Sequence, residues 1–132
     1  MHRRLIIGIA ILSLALALPA ASFAAAPTSS FTGTWVSTDG DGSHQTLVVS
    51  AGNRPSVVYQ DFYASGCDNF GGPATHWVGA GTGSVDGDVL YVSFHKSGCG
   101  AFLMGGYEDY FTYDAGTNTL TDSFGIVWTR SS

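Results

Sequence analysis

After residue 30, short runs of alternating apolar and polar residues fill the chain, and Gly, Asp and Asn residues separate them. Such runs are typical of half-buried β-strands. No apolar repeat of helical period is sustained, so little or no helix is expected. The alternation predicts an all-β fold with eight strands, at about residues 31–38, 44–50, 56–64, 74–85, 88–96, 107–113, 117–122 and 125–130.

The connections between the predicted strands are of two kinds. Those after even-numbered strands are short (51–55, 86–87 and 114–116), and Asp86-Gly87 is a strong two-residue hairpin signal. Those after the third and fifth strands are long and glycine-rich (65–72 and 97–106). In a meander, all turns after even strands lie at one end. The sequence therefore predicts an eight-stranded antiparallel up-and-down barrel with one tight end and one loop-bearing end.

Alternation also predicts which side chains face the barrel interior. The apolar and aromatic positions expected inside are Trp35, Leu47, Val49, Leu90, Val92, Phe94, Phe111, Tyr113, Leu120, Ile126 and Trp128. Such a load either fills an eight-stranded barrel or leaves room for one small ligand, and both interpretations stay open.

Polar residues share these inward faces. Tyr59, Asp61 and Tyr63 lie on the face of Val57, and Asp109 and Asp122 have the parity of Phe111 and Leu120. A buried carboxylate needs a partner. Arg130 is the candidate cation on the last strand.

The N-terminus has the pattern of a secretory signal peptide. Basic residues 2–4 precede an apolar run at 5–18, which is shorter than the ~18–20 residues that span a bilayer. We predict a signal peptide over 1–24, a flexible lead over 25–30 and a single β-barrel domain over 31–132. The expected location is secreted, with a retained membrane anchor as the alternative.

The predicted mature chain is acidic. It keeps three basic residues (Arg54, Lys96 and Arg130) and all ten acidic ones, for a net charge of −7. Such a chain repels phosphate backbones and anionic lipid, so neither nucleic acid nor, after signal cleavage, a membrane is expected as a partner.

Cys67 and Cys99 are the only cysteines, in the parallel contexts Ser65-Gly66-Cys67 and Ser97-Gly98-Cys99. Each follows an odd-numbered strand, so a meander brings both to the loop-bearing end. In an oxidising compartment we expect them to form a disulfide, with free thiols as the alternative.

Gly33-Thr34-Trp35 resembles the Gly-x-Trp that begins the first strand of lipocalins, and streptavidin-like proteins also begin with a Gly-Thr-Trp strand. In lipocalins a late Arg packs across that Trp at the closed end, and Arg130, close to Trp128, is placed to do so. The resemblance implies a barrel closed by Trp35, Trp128 and Arg130 that binds a small ligand inside. The chain is shorter than a typical lipocalin, and the polar residues that surround biotin cannot be placed. The resemblance therefore implies the barrel fold for this chain, but it does not imply that the chain binds biotin.

The loop-bearing end is the expected binding site. Phe102, Leu103 and Met104 form an apolar cluster between glycines beside Cys99, which indicates either a plug over the barrel or a lid or partner-binding tip. The candidate ligand contacts are Phe70, Phe94, Phe102, Leu103, Met104 and Tyr63.

Metal and catalytic signals are weak. Residues 39–43 (Asp-Gly-Asp-Gly-Ser) resemble the start of a calcium loop but lack its final Glu, so a hairpin turn is the preferred interpretation. His44, His76 and His95 lie on different strands without metal-ligand spacing. No Gly-x-Ser-x-Gly motif or other catalytic constellation is recognisable. We expect no metal, no cofactor and no enzymatic activity.

Three functions follow from this pattern. The preferred one is a lipocalin- or avidin-like protein that binds a small apolar or aromatic ligand at the loop-bearing end. The second is an extracellular protein-binding or inhibitor module that acts through its long loops and has a filled interior. The third is a small extracellular enzyme that uses the barrel mouth.

Overall fold

The computed structural model describes residues 30–62, 64–68, 76–100 and 102–132, and the predicted signal peptide lies outside them. The described residues form eight strands, with a short 3-10 turn at Ser65–Cys67 and further turns between the strands. The strands are β1 (Gly33–Thr38), β2 (His44–Val49), β3 (Ser56–Phe62), β4 (Trp77–Asp86), β5 (Val89–Cys99), β6 (Phe102–Asp114), β7 (Thr119–Asp122) and β8 (Val127–Arg130). No helix among the described residues is long and apolar enough to cross a membrane.

The strands form a closed antiparallel barrel in which each strand pairs with the next along the chain. The barrel closes where β1 pairs with β8, through Trp35 opposite Arg130 and Val36 opposite Thr129. The predicted fold class and the predicted meeting of the first and last strands are confirmed.

The core follows the predicted alternation. The eleven apolar and aromatic positions that were expected inside all belong to the core or pack against it, with Tyr113 and Ile126 at its edge. Phe31 adds an unpredicted plug at the tight end, because its buried ring lies 5.8 Å from the Tyr113 ring and its carbonyl accepts the Trp35 Nε1–H at 2.9 Å. The tight half of the barrel is therefore solidly filled.

Arg130 seals the same end. Its guanidinium donates to the backbone carbonyls of Ser30 and Thr32. Gly33 is needed for this arrangement, because its φ is +132° and a Cβ at this position would lie 2.7 Å from Arg130 Nη1. The expectation that Arg130 neutralises a buried carboxylate is wrong, because its donors are used by main-chain carbonyls at the tight end.

The prediction of a long loop over 97–106 is also wrong. β5 continues to Cys99 and β6 begins at Phe102, with register shifts between Phe94 and Ser97 and between Ser97 and Gly98. The reason lies in the glycines: a Cβ on Gly98 would meet the Phe102 carbonyl oxygen at 1.9 Å. Glycine here permits the close approach of two bulged strands.

The predicted disulfide between Cys67 and Cys99 is confirmed, with the two Cα atoms 5.4 Å apart. It joins the 3-10 turn after β3 to the end of β5, and Ala64 and Trp77 pack around it. The bridge therefore fixes one side of the loop-bearing end.

Candidate functional site

The loop-bearing end of the barrel contains a cavity of about 460 Å³. Its rim is formed by the β1–β2 turn, by the 3-10 turn after β3 and by the β7–β8 turn, which contribute Asp41, Ser65 and Phe124 among others. All three connections follow odd-numbered strands, which is the end that the turn lengths predicted for binding. The barrel is thus filled in one half and open in the other.

Aromatic rings form the deeper surface of the cavity. Trp128 is buried, and its ring centroid lies 5.9 Å from that of Tyr59 and 6.0 Å from that of Phe111 in edge-on geometry. Tyr107 and Trp77 line the cavity and contact each other, with their centroids 6.4 Å apart. These mutual contacts restrict the rings, so the cavity presents a rigid aromatic wall.

Asp122 holds Trp128 in place. The indole Nε1–H donates to Asp122 Oδ2 at 3.1 Å, while Oδ1 accepts the backbone N–H groups of Phe124 and Ile126 at 3.0 and 2.9 Å. Both carboxylate oxygens therefore have partners. Asp122 organises the β7–β8 turn and orients the indole at the cavity.

Gln45, Tyr59 and Asp61 form a hydrogen-bonded chain along another wall, which we call the polar wall. Gln45 Nε2 donates to the Tyr59 hydroxyl at 3.0 Å, and that hydroxyl donates to Asp61 Oδ2 at 3.3 Å. Gln45 is 2% exposed and Asp61 is 5% exposed. Gln45 Oε1, Asp61 Oδ1 and the nearby Ser43 Oγ are buried without a hydrogen-bond partner among the described residues.

Burial controls the protonation of the polar wall. Desolvation raises the pKa of Asp61, and the charges of Asp39 and Asp41 raise it further. The Ser43 and Gln45 side chains oppose this rise, but neither completes a hydrogen bond of normal geometry with Oδ1.

Tyr59 and Tyr107 keep their phenolic protons. Desolvation is the first cause that raises the pKa of each, far above the usual range of a tyrosine, and nearby carboxylates (Asp61 for Tyr59, Asp109 for Tyr107) raise it further. The Tyr59 hydroxyl therefore remains a hydrogen-bond donor to Asp61 throughout the physiological range.

Two further carboxylates shape the rim. Asp109 Oδ1 accepts the Tyr110 N–H at 2.7 Å and the Ser123 N–H at 3.4 Å, and burial raises the pKa of Asp109. Asp41 accepts the Ser43 N–H at 2.9 Å and the Ser65 N–H at 3.0 Å, and hydrogen bonding by Ser43 and then Ser65 holds its pKa well below the usual range. Asp41 thus ties two rim segments together.

The calcium-like sequence at 39–43 folds as a turn. Asp39 N donates to the Ser43 carbonyl and Gly42 N donates to the Asp39 carbonyl, each at 2.9 Å. Within the described residues, no three His, Cys, Asp or Glu side chains are grouped so as to hold a metal ion.

The charged side chains that are described at the cavity lining are all acidic. Its carboxylates are Asp39, Asp41, Asp61, Asp109 and Asp122. No Lys, Arg or His is among the described residues that line it. The wall therefore combines aromatic surface with negative charge.

The predicted ligand contacts lie apart from this cavity or outside the described residues. Phe94 packs behind the wall, stacked on Tyr107 with centroids 4.6 Å apart. Phe102, Leu103 and Met104 are exposed on β6 (56%, 74% and 53%), and they do not belong to the described lining. Tyr63 and Phe70 are not among the described residues. The ligand-binding role of this set stays a prediction.

Sequence reasoning identified the inward parity of Tyr59, Asp61, Asp109 and Asp122 but overlooked Gln45. The signal was present, because Gln45 is two residues before Leu47 and so lies on the same face of β2. Gln45 was not predicted because the interior positions were assigned mainly from apolar and aromatic residues.

Fold and site together define a class: a closed eight-stranded antiparallel barrel with an acidic, aromatic cavity at one end. No protein-family model matches the chain, and neither the curated proteins nor the solved structures contain a significantly similar one.

Proposed function

We propose that this protein is a secreted, lipocalin- or avidin-like binding protein that holds a small organic ligand with an aromatic or apolar body in the cavity at the loop-bearing end. The cavity is the observation that carries the proposal, because its volume of about 460 Å³ lies within the usual range of small-molecule sites. Burial of the ligand's apolar surface would supply affinity at roughly 25 cal/mol per Å² before the costs of association.

The distribution of side chains supports binding in this half of the barrel. Large apolar residues fill the tight half, where Phe31 and Trp35 are fully buried. The other half places Gln45 and Asp61 at inward positions, where apolar residues would have completed the core. Buried polar groups cost stability, so their presence is best explained by a ligand that uses them.

Binding is preferred over catalysis because the carboxylates are unequal. Asp122 uses both oxygens for its own turn and for Trp128. Asp109 Oδ1 is held by two main-chain N–H groups. Of the carboxylates that the structure describes at the cavity, only Asp61 has a buried oxygen without a partner. One carboxylate with a free oxygen among aromatic rings is typical of a binding site, in which a few polar groups orient an apolar ligand.

Native mass spectrometry of the mature protein purified from its host tests this proposal. Gly66→Trp places an indole at the rim, where a Cβ meets no atom within 4 Å, and should occlude the cavity. Ala115→Trp adds the same group in the exposed turn at the tight end and is the control. We expect a bound organic molecule on the wild type and on Ala115→Trp, and none on Gly66→Trp. Bare protein in all three samples would contradict the proposal.

A second candidate function is the binding of an extracellular protein. Phe102, Leu103 and Met104 are three consecutive exposed apolar residues, and such surfaces mark interaction sites more often than chance. Replacing all three with Thr should abolish such an interaction and leave cavity binding intact. Loss of the cavity ligand in the same variant would instead assign these residues to the first function.

A further inference from the structure

We propose that the ligand of this cavity carries a primary ammonium group that binds to the polar wall formed by Gln45, Tyr59 and Asp61. The proposal rests on the function proposed above and specifies the chemistry of the ligand. The ligand class is an amine with an aromatic or apolar body.

The direction of the hydrogen bonds shows what is missing from the polar wall. Tyr59 has one hydroxyl proton and donates it to Asp61 Oδ2, and its oxygen accepts from Gln45 Nε2. Three buried side-chain atoms have no partner among the described residues: Ser43 Oγ, Gln45 Oε1 and Asp61 Oδ1. The last two are both acceptors when Asp61 is ionised, and the single hydroxyl proton of Ser43 cannot satisfy both. A ligand that completes this wall must therefore bring hydrogen-bond donors.

The charge of the cavity indicates that the donor is a cation. Asp61 is 5% exposed, and a buried carboxylate is costly without a counter-ion. The three basic residues of the mature chain do not provide one: Arg130 binds carbonyls at the tight end, Arg54 is exposed in the β2–β3 turn, and Lys96 is exposed on β5. A ligand ammonium group would supply the charge that the described lining lacks.

The number of N–H donors that the wall needs indicates which kind of cation binds there. A primary ammonium has three N–H donors, enough for Gln45 Oε1 and Asp61 Oδ1 together. A quaternary ammonium has the charge but no donor. The rings of Tyr59, Trp77 and Trp128 line the same cavity, where they favour a cation over their faces or an apolar body against them.

Isothermal titration calorimetry of the disulfide-bonded mature protein at neutral pH tests the inference with matched indole probes. These are tryptamine (cationic), tryptophol (neutral) and indole-3-acetate (anionic). We expect tryptamine to bind about tenfold tighter than tryptophol, and indole-3-acetate to bind most weakly. Equal binding of tryptamine and tryptophol would overturn the ammonium inference and leave the proposed function standing. Binding of none of the three would overturn both.

Two variants and one further probe locate the effect. Asp61→Asn should reduce the preference for tryptamine over tryptophol to within about twofold. Asp86→Asn removes the same charge at the exposed end of β4 and should keep the full preference. An equal loss in both variants would show a general charge effect and contradict the inference. N,N,N-trimethyltryptammonium should bind more weakly than tryptamine, and equal binding would overturn the requirement for N–H donors.

Discussion

The guanidinium carbon of Arg130 lies 4.1 Å from the centre of the Trp35 ring, and the two residues are paired across the β1–β8 seam. The same guanidinium reaches the carbonyls of Ser30 and Thr32. Because the seam is short, one side chain that stacks on β1 and ties down the segment before it contributes strongly to closure. The Gly33-Thr34-Trp35 sequence therefore belongs to the closure of the barrel and lies at the opposite end from the cavity.

Removing either partner of this pair should destabilise the fold. We expect Trp35→Ala to lower the free energy of unfolding by roughly 3–5 kcal/mol, because a fully buried aromatic side chain is lost. Arg130→Ala should cost about 1–3 kcal/mol through its cation–π contact and two charge-assisted hydrogen bonds. Urea unfolding measures both, and Arg54→Ala at an exposed turn is the control, with an expected change within about 0.5 kcal/mol. Parent-like unfolding of Arg130→Ala and Trp35→Ala would show that the seam does not depend on the pair.

The disulfide should stabilise the protein chiefly through the unfolded chain. Cys67 and Cys99 are 32 residues apart, and a loop of this size corresponds to about 3–4 kcal/mol in the chain-entropy model. The Cys67→Ser/Cys99→Ser double variant should lose that free energy of unfolding. It should also bind cavity ligands more weakly, because the bridge holds Ser65 and Gly66 at the rim. Unfolding identical to that of the parent would contradict this account of the bridge.

Asp61 should make the protein less stable as the pH rises. Burial raises its pKa in the folded state, so between the unfolded and folded pKa values the native protein binds more protons than the unfolded chain. Stability due to this group is therefore present at low pH and is lost as the pH rises through the folded pKa. At neutral pH we expect Asp61→Asn to be more stable than the parent by on the order of 1 kcal/mol.

The advantage of Asp61→Asn should shrink as the pH falls from the raised folded pKa of Asp61 towards the ordinary aspartate pKa of about 3.9, because the native parent carboxyl becomes protonated over that range. Urea unfolding across the pH range gives the difference directly. A parent that is more stable than the variant at neutral pH would mean that Asp61 already has its partner within the protein.

The exposed apolar residues of β6 should contribute little to the stability of the fold. Thr has a high strand propensity, so replacing Phe102, Leu103 and Met104 with Thr should change the free energy of unfolding by at most about 1 kcal/mol. Tryptamine affinity should stay at the parent value, because these side chains do not belong to the described cavity lining. A large loss of affinity would show that they close over the ligand.

The fold was predictable because period-2 alternation and turn residues act locally. Leu90, Val92 and Phe94 alternate with exposed or half-buried neighbours as the pattern requires. The glycines of 97–106 led to the wrong prediction of a loop. In sequence alone, a glycine that permits two strands to approach closely cannot be distinguished from a glycine in a loop. Gly98 is the clearest example.

The site was only partly predictable. Alternation indicates the face of a strand but not the depth within the barrel, so Trp128 was assigned to closure with Trp35 although it lines the cavity at the other end. The hydrogen-bond partners of Arg130 are backbone carbonyls, and every residue has one, so the sequence could not identify them. The inference that the polar wall needs a hydrogen-bond donor rests on the directions of its hydrogen bonds. Those directions follow from the positions of Gln45, Tyr59 and Asp61 in space and cannot be read from the sequence.

The indole N–H signals of the three tryptophans give the most direct test that the cavity binds a small ligand. Trp77 and Trp128 line the cavity, whereas the Trp35 indole is bonded to the Phe31 carbonyl at the sealed end. In ¹H–¹⁵N correlation spectra of the labelled protein titrated with tryptamine, we expect the Trp77 and Trp128 indole signals to shift and the Trp35 signal to stay in place. Unchanged Trp77 and Trp128 signals, or shifts confined to residues 102–104, would contradict it.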